Sequence, residues 1–366
     1  MGNFNNNNNN SKKFLKIIKS KKFKLAISIA LFATSLGILV YFCVENDNLV
    51  KLFEILPHLN FFWLFTAFFS MVLSWYFDSR IIDEIASLIY YKKHSKLFFF
   101  KVTMTGQYFS SITPLGVAAQ PMQVVELYKN NIPKNIALII MTRRFFVYQT
   151  TFAIYLLTVS ILYFNYLKDF CPELIIFLLI GIAFQCFVVF LILLFTINKK
   201  LILSIIKIIL IILSKMKIIK NYNKILTAAE SQLEFFVRSN KYVKKNKKAN
   251  FKLYFYAFLE ITFLFLVPFF VYKSFNHSEM PVFGIVCTQS IVNTVSSFTP
   301  LPGSAGTAEK GFLTLFGSFF LSGEIAMAML ICRFITFYLN IILGAIFYKA
   351  PSKHQKNDRK KTTEKY

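Results

Sequence analysis

The stretch SSFTPLPGSAGTAEKGF, residues 296–312, lies between two apolar segments and cannot form an uninterrupted membrane helix. It contains Pro300, Pro302, Gly303 and Gly306. Proline cannot donate a helical hydrogen bond and disfavours helix at the residue before it, whereas glycine permits tight turns. Broken backbone at membrane depth is tolerated only when it is buried in protein or lines a wet cavity. The stretch therefore predicts a re-entrant hairpin, which enters the membrane, turns and leaves on the same side.

The opening of this stretch occurs twice, as SSITPL at 110–115 and as SSFTPL at 296–301. Each copy is followed by a glutamate and then by an apolar segment containing an arginine: Glu126 and Arg144 after the first, Glu309 and Arg333 after the second. The pattern predicts two related units, at about 102–164 and 283–348.

The composition places the chain among polytopic membrane proteins, since 56% of its 366 residues are hydrophobic. Apolar runs of about 18 residues or more are candidates for membrane helices. We predict an all-α fold with about six full spans and two re-entrant hairpins, the spans being 25–44, 59–77, 136–164, 174–197, 253–272 and 325–348. Three full spans separate the two hairpins, and because that number is odd the second unit is predicted to be inverted. Inverted repeats with broken helices are typical of transporters.

The net charge of +25 must lie mainly in the loops and tails, where it would meet anionic lipid headgroups rather than a nucleic acid. Lysine and arginine are concentrated in alternate connections, including the predicted loop 78–101. By the positive-inside rule, both termini are then cytoplasmic. We expect the protein to lie in the plasma membrane. Around a single membrane domain, 25–348, we predict a disordered basic N-terminus (1–24), a basic amphipathic insertion (198–252) and a basic tail (349–366).

The arginines within apolar runs, Arg144 and Arg333, have two interpretations. Intramembrane charge is a functional hypothesis by default, and a guanidinium group matches the geometry of a phosphate. Alternatively, each arginine forms a structural pair with Glu126 or Glu309, or extends to the membrane interface. Glu309 also has two interpretations, as the cap of a helix N-terminus or as a protonatable coupling group. The dispersed cysteines and histidines predict no metal site, and we expect no cofactor.

Two segments resemble the lysylphosphatidylglycerol synthase transmembrane domain family, the flippase-like membrane half of the multiple peptide resistance factor. TPLPGSAGTAEKGFLTLF is similar to the family's late Pro-x-Pro-Gly-Gly-small-Gly-x-x-Glu phrase, with Ser304 in place of the commoner second glycine. GQYFSSITPLGVAAQPMQVVELYKNNIP resembles its earlier motif, with Ala118 and Ala119 in place of the usual glycines. The resemblance covers about residues 20–350 in layout.

This resemblance implies translocation of a phospholipid, such as lysyl-phosphatidylglycerol, between leaflets. Full-length members add a cytoplasmic domain that transfers lysine to phosphatidylglycerol; the chain ends soon after its last predicted span, so we expect no such transfer by this chain alone. A lipid-modifying transferase and a scaffold for a separate soluble synthase are the alternatives, and a second copy of the chain is a further candidate partner. The candidate substrate-binding residues are Gln107, Thr113, Pro114, Gln120, Glu126, Arg144, Thr299, Pro300, Pro302, Gly303, Gly306, Glu309 and Arg333.

Overall fold

The structure is a computed structural model that describes residues 55–90, 94–170, 173–197, 246–297, 301–321 and 323–350, with Gly37, Thr299 and scattered positions between 203 and 230. All secondary structure in these residues is helical. The α-helices are α1 Phe61–Ile89, α2 Lys96–Ile112, α3 Ala119–Lys129, α4 Lys134–Phe170, α5 Glu173–Ile197, α6 Lys247–Phe265, α7 Val267–Ser274, α8 Val282–Ser296, α9 Thr307–Leu315, α10 Glu324–Arg333 and α11 Leu339–Lys349.

Four segments are long and apolar enough to cross a membrane: Phe61–Ile89, Lys134–Asn165, Lys247–Ser274 and Glu324–Lys349. They correspond to four of the predicted spans, and a fifth, 174–197, coincides with α5. The all-α polytopic fold is therefore confirmed, while the predicted span 25–44 lies outside the described residues. Large apolar side chains project outward from α1, among them Phe61, Phe62 and Phe65, each more than 60% exposed. In a membrane such a surface faces lipid.

Two of the long segments are interrupted. Pro268 follows the junction between α6 and α7, where an ordinary helical hydrogen bond is lost because proline has no N–H. A π-helical turn, Phe334–Tyr338, separates α10 from α11 and begins directly after Arg333. Single π-turns of this kind are frequent at functional sites.

Both predicted hairpins are present as helix, turn and helix. The first hairpin consists of α2, a 3₁₀ turn at Pro114–Gly116 (the first turn) and α3. The second hairpin consists of α8, a 3₁₀ turn at Pro302–Ser304 (the second turn) and α9. These helices are shorter than the roughly 20 residues that a full crossing needs. The two turns pack against each other, so the tips of the hairpins meet.

The two turns share one backbone conformation. After the leading proline, Leu115 and Gly116 have φ of +52° and +63°, and Gly303 and Ser304 have φ of +60° and +55°. In the repeated hexapeptide, Pro114 is equivalent to Pro300. In the two turns, Pro114 is equivalent to Pro302. The structural repeat is therefore shifted by two residues from the sequence echo that first indicated it.

The two repeat units are joined by close packing of α11 against α2. At Gly344 a Cβ would lie 2.9 Å from the carbonyl oxygen of Met104 and 2.8 Å from the Cβ of Tyr108. Only glycine permits this approach, which fixes the last helix against the first hairpin.

The prediction of a charged loop at 78–101 was wrong. Helix α1 continues to Ile89, and α2 begins at Lys96 with Ser95 as its N-cap. The sequence suggested a loop because charged residues begin at Asp78, but that side chain is only 1% exposed and pairs with an arginine on another helix. The predicted insertion 198–252 lies largely outside the described residues, and its last residues, from Lys247, belong to α6.

Candidate functional site

A cavity of about 820 Å³ lies where the tips of the two hairpins meet α1, α4, α6 and the last span. Its volume is in the range of small-molecule sites, roughly 300–1,000 Å³. Much of its wall is polar, with amide and hydroxyl side chains from both hairpins and from the surrounding helices: Ser74, Gln107, Ser110, Ser111, Gln120, Gln123, Tyr148, Gln149, Gln289, Asn293, Ser296, Thr336 and Asn340. The cavity can thus offer both donors and acceptors to a polar ligand.

Five of the thirteen predicted site residues line this cavity, namely Gln107, Gln120, Arg144, Gly303 and Arg333. They come from both predicted units, so the fold brings the two halves of the predicted site together in one space.

Arg333 is held at the second turn by Glu309. Its Nε donates to Oε1 of Glu309 at 2.7 Å, and its Nη2 donates to the carbonyl oxygen of Gly303 at 3.1 Å. The guanidinium also lies over the ring of Phe337, 5.3 Å from the centroid. These contacts fix the position of Arg333, and its Nη1 makes no hydrogen bond to any residue that the structure describes.

Glu309 caps a helix and pairs with an arginine at the same time. Its Oε2 accepts a hydrogen bond from the backbone N–H of Gly306 at 2.6 Å, at the start of α9. Its Oε1 faces Arg333, and the side chain is 1% exposed. The capping interpretation and the structural-pair interpretation therefore hold together for this carboxylate, which does not itself line the cavity.

Arg144 is held by two carboxylates that the sequence analysis did not assign to it. Its Nε donates to Oδ1 of Asp78 on α1, and its Nη2 lies 3.6 Å from Oε1 of Glu260 on α6. The expectation that Arg144 pairs with Glu126 or Glu309 is wrong, because α4 presents it toward α1 and α6 instead. Arg143 points elsewhere and donates to Oδ1 of Asn250.

Glu126 lies within the first hairpin rather than on the cavity wall. Its Oε1 is 2.7 Å from Nζ of Lys101, and Asn130 donates to its backbone and side-chain oxygens. This buried pair ties α3 to α2. It therefore stabilises the first hairpin without lining the cavity.

The remaining predicted residues shape the two turns. The hydroxyl of Thr113 donates to the carbonyl oxygen of Phe109 at 2.6 Å and closes the end of α2. Pro114 and Pro302 begin the two turns, and Gly306, with φ of +87°, precedes α9. The backbone N–H of Thr299 donates to the carbonyl oxygen of Ser296, while Pro300 lies outside the described residues.

Within the described residues no group of three or more His, Cys, Asp or Glu side chains could hold a metal ion. The charged groups near the cavity are arginines held by carboxylates, Arg333 by Glu309 and Arg144 by Asp78 and Glu260.

The family model of the lysylphosphatidylglycerol synthase TM region matches residues 23–344, which is most of the chain. The chain belongs to this family. No curated protein matches the sequence. Membership of the lysylphosphatidylglycerol synthase TM region family indicates a membrane function related to lipids.

In this family member, sequence reasoning missed several polar residues that line the cavity or lie directly behind its wall. Glu260 lies in the middle of a predicted span, so the argument used for Arg144 and Arg333 applied to it equally. Asp78 was placed in a loop, and no local signal indicated its burial. Asn340 follows Arg333 by seven residues in the same predicted span, a spacing that would put both on one face of a regular α-helix.

Four polar atoms on the cavity wall are buried without a hydrogen-bond partner among the described residues: Oε2 of Glu260, Oε1 of Gln289, Oγ of Ser296 and Oδ1 of Asn340. An unpaired buried polar atom costs about 1–3 kcal/mol. Clustered at one cavity, such atoms indicate a surface arranged for a polar ligand.

Proposed function

We propose that this chain is a flippase, which moves the headgroup of a phospholipid, such as an aminoacylated phosphatidylglycerol, between the leaflets of the plasma membrane. The observation that carries the proposal is the position of Arg144 and Arg333, one from each unit, on the wall of a single polar cavity. A headgroup must cross the hydrocarbon core, and a polar cavity lowers the free-energy cost of that passage.

The guanidinium groups supply the contacts to the lipid phosphate. Each arginine uses its Nε and Nη2 for protein carboxylates or carbonyls, which leaves Nη1 for the ligand. The planar, permanently charged guanidinium can keep these protein contacts and still donate the two N–H groups of Nη1 to a phosphate, whereas the single ammonium of a lysine cannot serve both partners in this geometry. Amides such as Gln107, Gln120 and Asn293 would bind the hydroxyl and carbonyl groups of the headgroup.

The meeting of the hairpin tips supports alternating access. In our proposal the first hairpin enters from the cytoplasm and the second from outside, with both termini cytoplasmic. The contact between the two turns then separates the two faces of the membrane. Movement of one hairpin relative to the other would expose the cavity to one leaflet at a time, as in other inverted-repeat carriers.

The test is lipid exchange in proteoliposomes that contain the full chain and fluorescently labelled phosphatidylglycerol in both leaflets. A membrane-impermeant reductant should bleach the outer-leaflet label in protein-free vesicles and most of the total label when the protein is present. We expect Arg333→Lys to slow this exchange about tenfold or more, since hydrogen bonds to charged groups contribute about 1.5–3 kcal/mol and about 1.4 kcal/mol is a factor of ten. Lysine keeps a positive charge beside Glu309, so the buried carboxylate is not left without a counter-charge.

Arg80→Lys is the matched control, because Arg80 pairs with Asp83 and does not line the cavity. Gln289→Leu should also slow exchange without destabilising the protein, as the Oε1 of Gln289 has no partner to lose. If wild-type protein leaves the inner label protected, the flippase proposal fails. A change in lipid mass under those conditions would favour the transferase alternative.

A further inference from the structure

The strongest unassigned feature is a buried group of two carboxylates and one arginine at the cavity, consisting of Asp78, Arg144 and Glu260. The three side chains come from α1, α4 and α6, and the carboxylates are 1% and 5% exposed. Arg144 contacts Oδ1 of Asp78 and lies 3.6 Å from Oε1 of Glu260. Glu260 and Arg144 line the cavity, whereas Asp78 lies behind them.

The second oxygen of each carboxylate is unpaired. Oδ2 of Asp78 and Oε2 of Glu260 are both buried and have no hydrogen-bond partner among the described residues. With both acids ionised, the group carries two negative charges and one positive charge. The unbalanced charge would be buried, and the penalty for a buried ion is several kcal/mol even after relaxation.

The surrounding charged groups do not balance this excess. From α4 the titratable neighbour besides Arg144 is Tyr148, an uncharged side chain that also lines the cavity. Farther along α1 and α6, Arg80 pairs with Asp83 and Lys252 pairs with Glu84. From the first hairpin, Lys101 pairs with Glu126, and from the last span Arg333 pairs with Glu309.

As a rule, two ionised carboxylates close to each other repel, and this repulsion favours retention of one proton. We propose that Asp78 and Glu260 share one exchangeable proton, and that its uptake from and return to water in the cavity is coupled to movement of the headgroup phosphate. The shared proton does not depend on the proposed flippase function, whereas its coupling to lipid movement rests on that function. The step forms one carboxyl O–H bond from an aqueous proton and later breaks it, with no oxidation or reduction.

The shared proton would control how Arg144 is used. When both acids are ionised, the guanidinium is held between two negative charges and repulsion from them opposes an incoming phosphate. When Glu260 is protonated, its contact with Arg144 weakens and the remaining positive charge can meet the phosphate. Proton binding and phosphate binding therefore favour each other, as linkage requires.

The proton itself is tested by infrared spectroscopy of the purified full chain. Wild-type protein at neutral pH should show the C=O stretch of a protonated carboxyl group, and Glu260→Gln should lose this band. Glu84→Gln is the control, since Glu84 lies on α1 but pairs with Lys252 outside the cavity. Asp78→Asn should remove the same band, which keeps the test decisive if Glu260→Gln does not fold. A band that survives both substitutions, or is missing from wild type, overturns the shared proton.

The coupling is tested in the proteoliposome assay with an imposed pH gradient. Acid on the donor side should raise the wild-type exchange rate by up to about tenfold per pH unit, the limit for one titrating proton. Glu260→Gln should exchange at a rate that is insensitive to the gradient. A response to sodium rather than to protons, or an unchanged pH response in Glu260→Gln, overturns the coupling. Absence of exchange under every condition overturns the flippase proposal and the coupling, while the infrared band still decides the shared proton.

Discussion

Replacing Glu309 by glutamine is expected to lower the free energy of unfolding by about 3–5 kcal/mol, the usual effect of removing one partner from a buried ion pair. Glu309 is 1% exposed and faces Arg333, whose side chain is 13% exposed. Glutamine can still accept the hydrogen bond from Gly306, so the helix cap survives. The loss comes from Arg333, whose positive charge would remain without its carboxylate partner.

Thermal unfolding in detergent measures this loss. Glu84→Gln is the comparison: it breaks a looser pair, at 3.8 Å, with the half-exposed Lys252, and pairs that solvent can reach contribute about 0–1 kcal/mol. The double variant Glu309→Gln with Arg333→Gln should recover much of the lost stability, because no unpaired charge remains. It should not recover lipid exchange. Equal destabilisation by Glu309→Gln and Glu84→Gln would contradict the role given to the buried pair.

Replacing Gly303 by alanine is expected to disrupt the second turn. A Cβ at this position would lie 1.9 Å from Cε2 of Phe337. Overpacking of this kind costs about 1–3 kcal/mol, and the left-handed backbone adds about 1–2 kcal/mol for a residue with a side chain. Displacement of Phe337 would also remove the ring beneath Arg333.

Gly311→Ala provides the matched control eight residues away. Gly311 lies within α9, and its Cβ would meet Cγ1 of Val292 at an ordinary 3.8 Å. Alanine in a helix interior is more favourable than glycine by about 0.5–1 kcal/mol, so this variant should unfold at a slightly higher temperature. Similar melting temperatures for the two variants would show that the turn tolerates a side chain at 303. The lipid exchange assay should show loss for Gly303→Ala only.

The broken hairpins could be predicted from sequence because their signals are local. Proline and glycine act on the backbone of neighbouring residues, so the turns at Pro114 and Pro302 were visible without any knowledge of the fold. The pairing of Glu309 with Arg333 was also within reach, because both follow the same motif within one unit. The family resemblance depended on these same residues, and the family match confirms it.

The partners of Arg144 could not be predicted, because they depend on how distant helices pack. Asp78 precedes Arg144 by 66 residues, and Glu260 lies on another helix beyond the undescribed stretch 231–245. Judged by hydropathy alone, a span ends at its first charged residue. In the structure that residue, Asp78, is buried because it pairs with Arg144. The same limit explains why α1 extends to Ile89 rather than ending near residue 77.

The left-handed backbone that the two turns share is expected to create a trade-off between the stability of the protein and its activity. In each turn one strained position is glycine and the other carries a side chain, Leu115 in the first and Ser304 in the second. Both side chains line the cavity. The strained backbone therefore occurs at positions whose side chains form part of the cavity wall. Glycine at either position should make the protein more resistant to heat and at the same time remove a side chain from the cavity wall. Selection for thermostability alone would thus be expected to weaken the proposed lipid exchange at the two tips first.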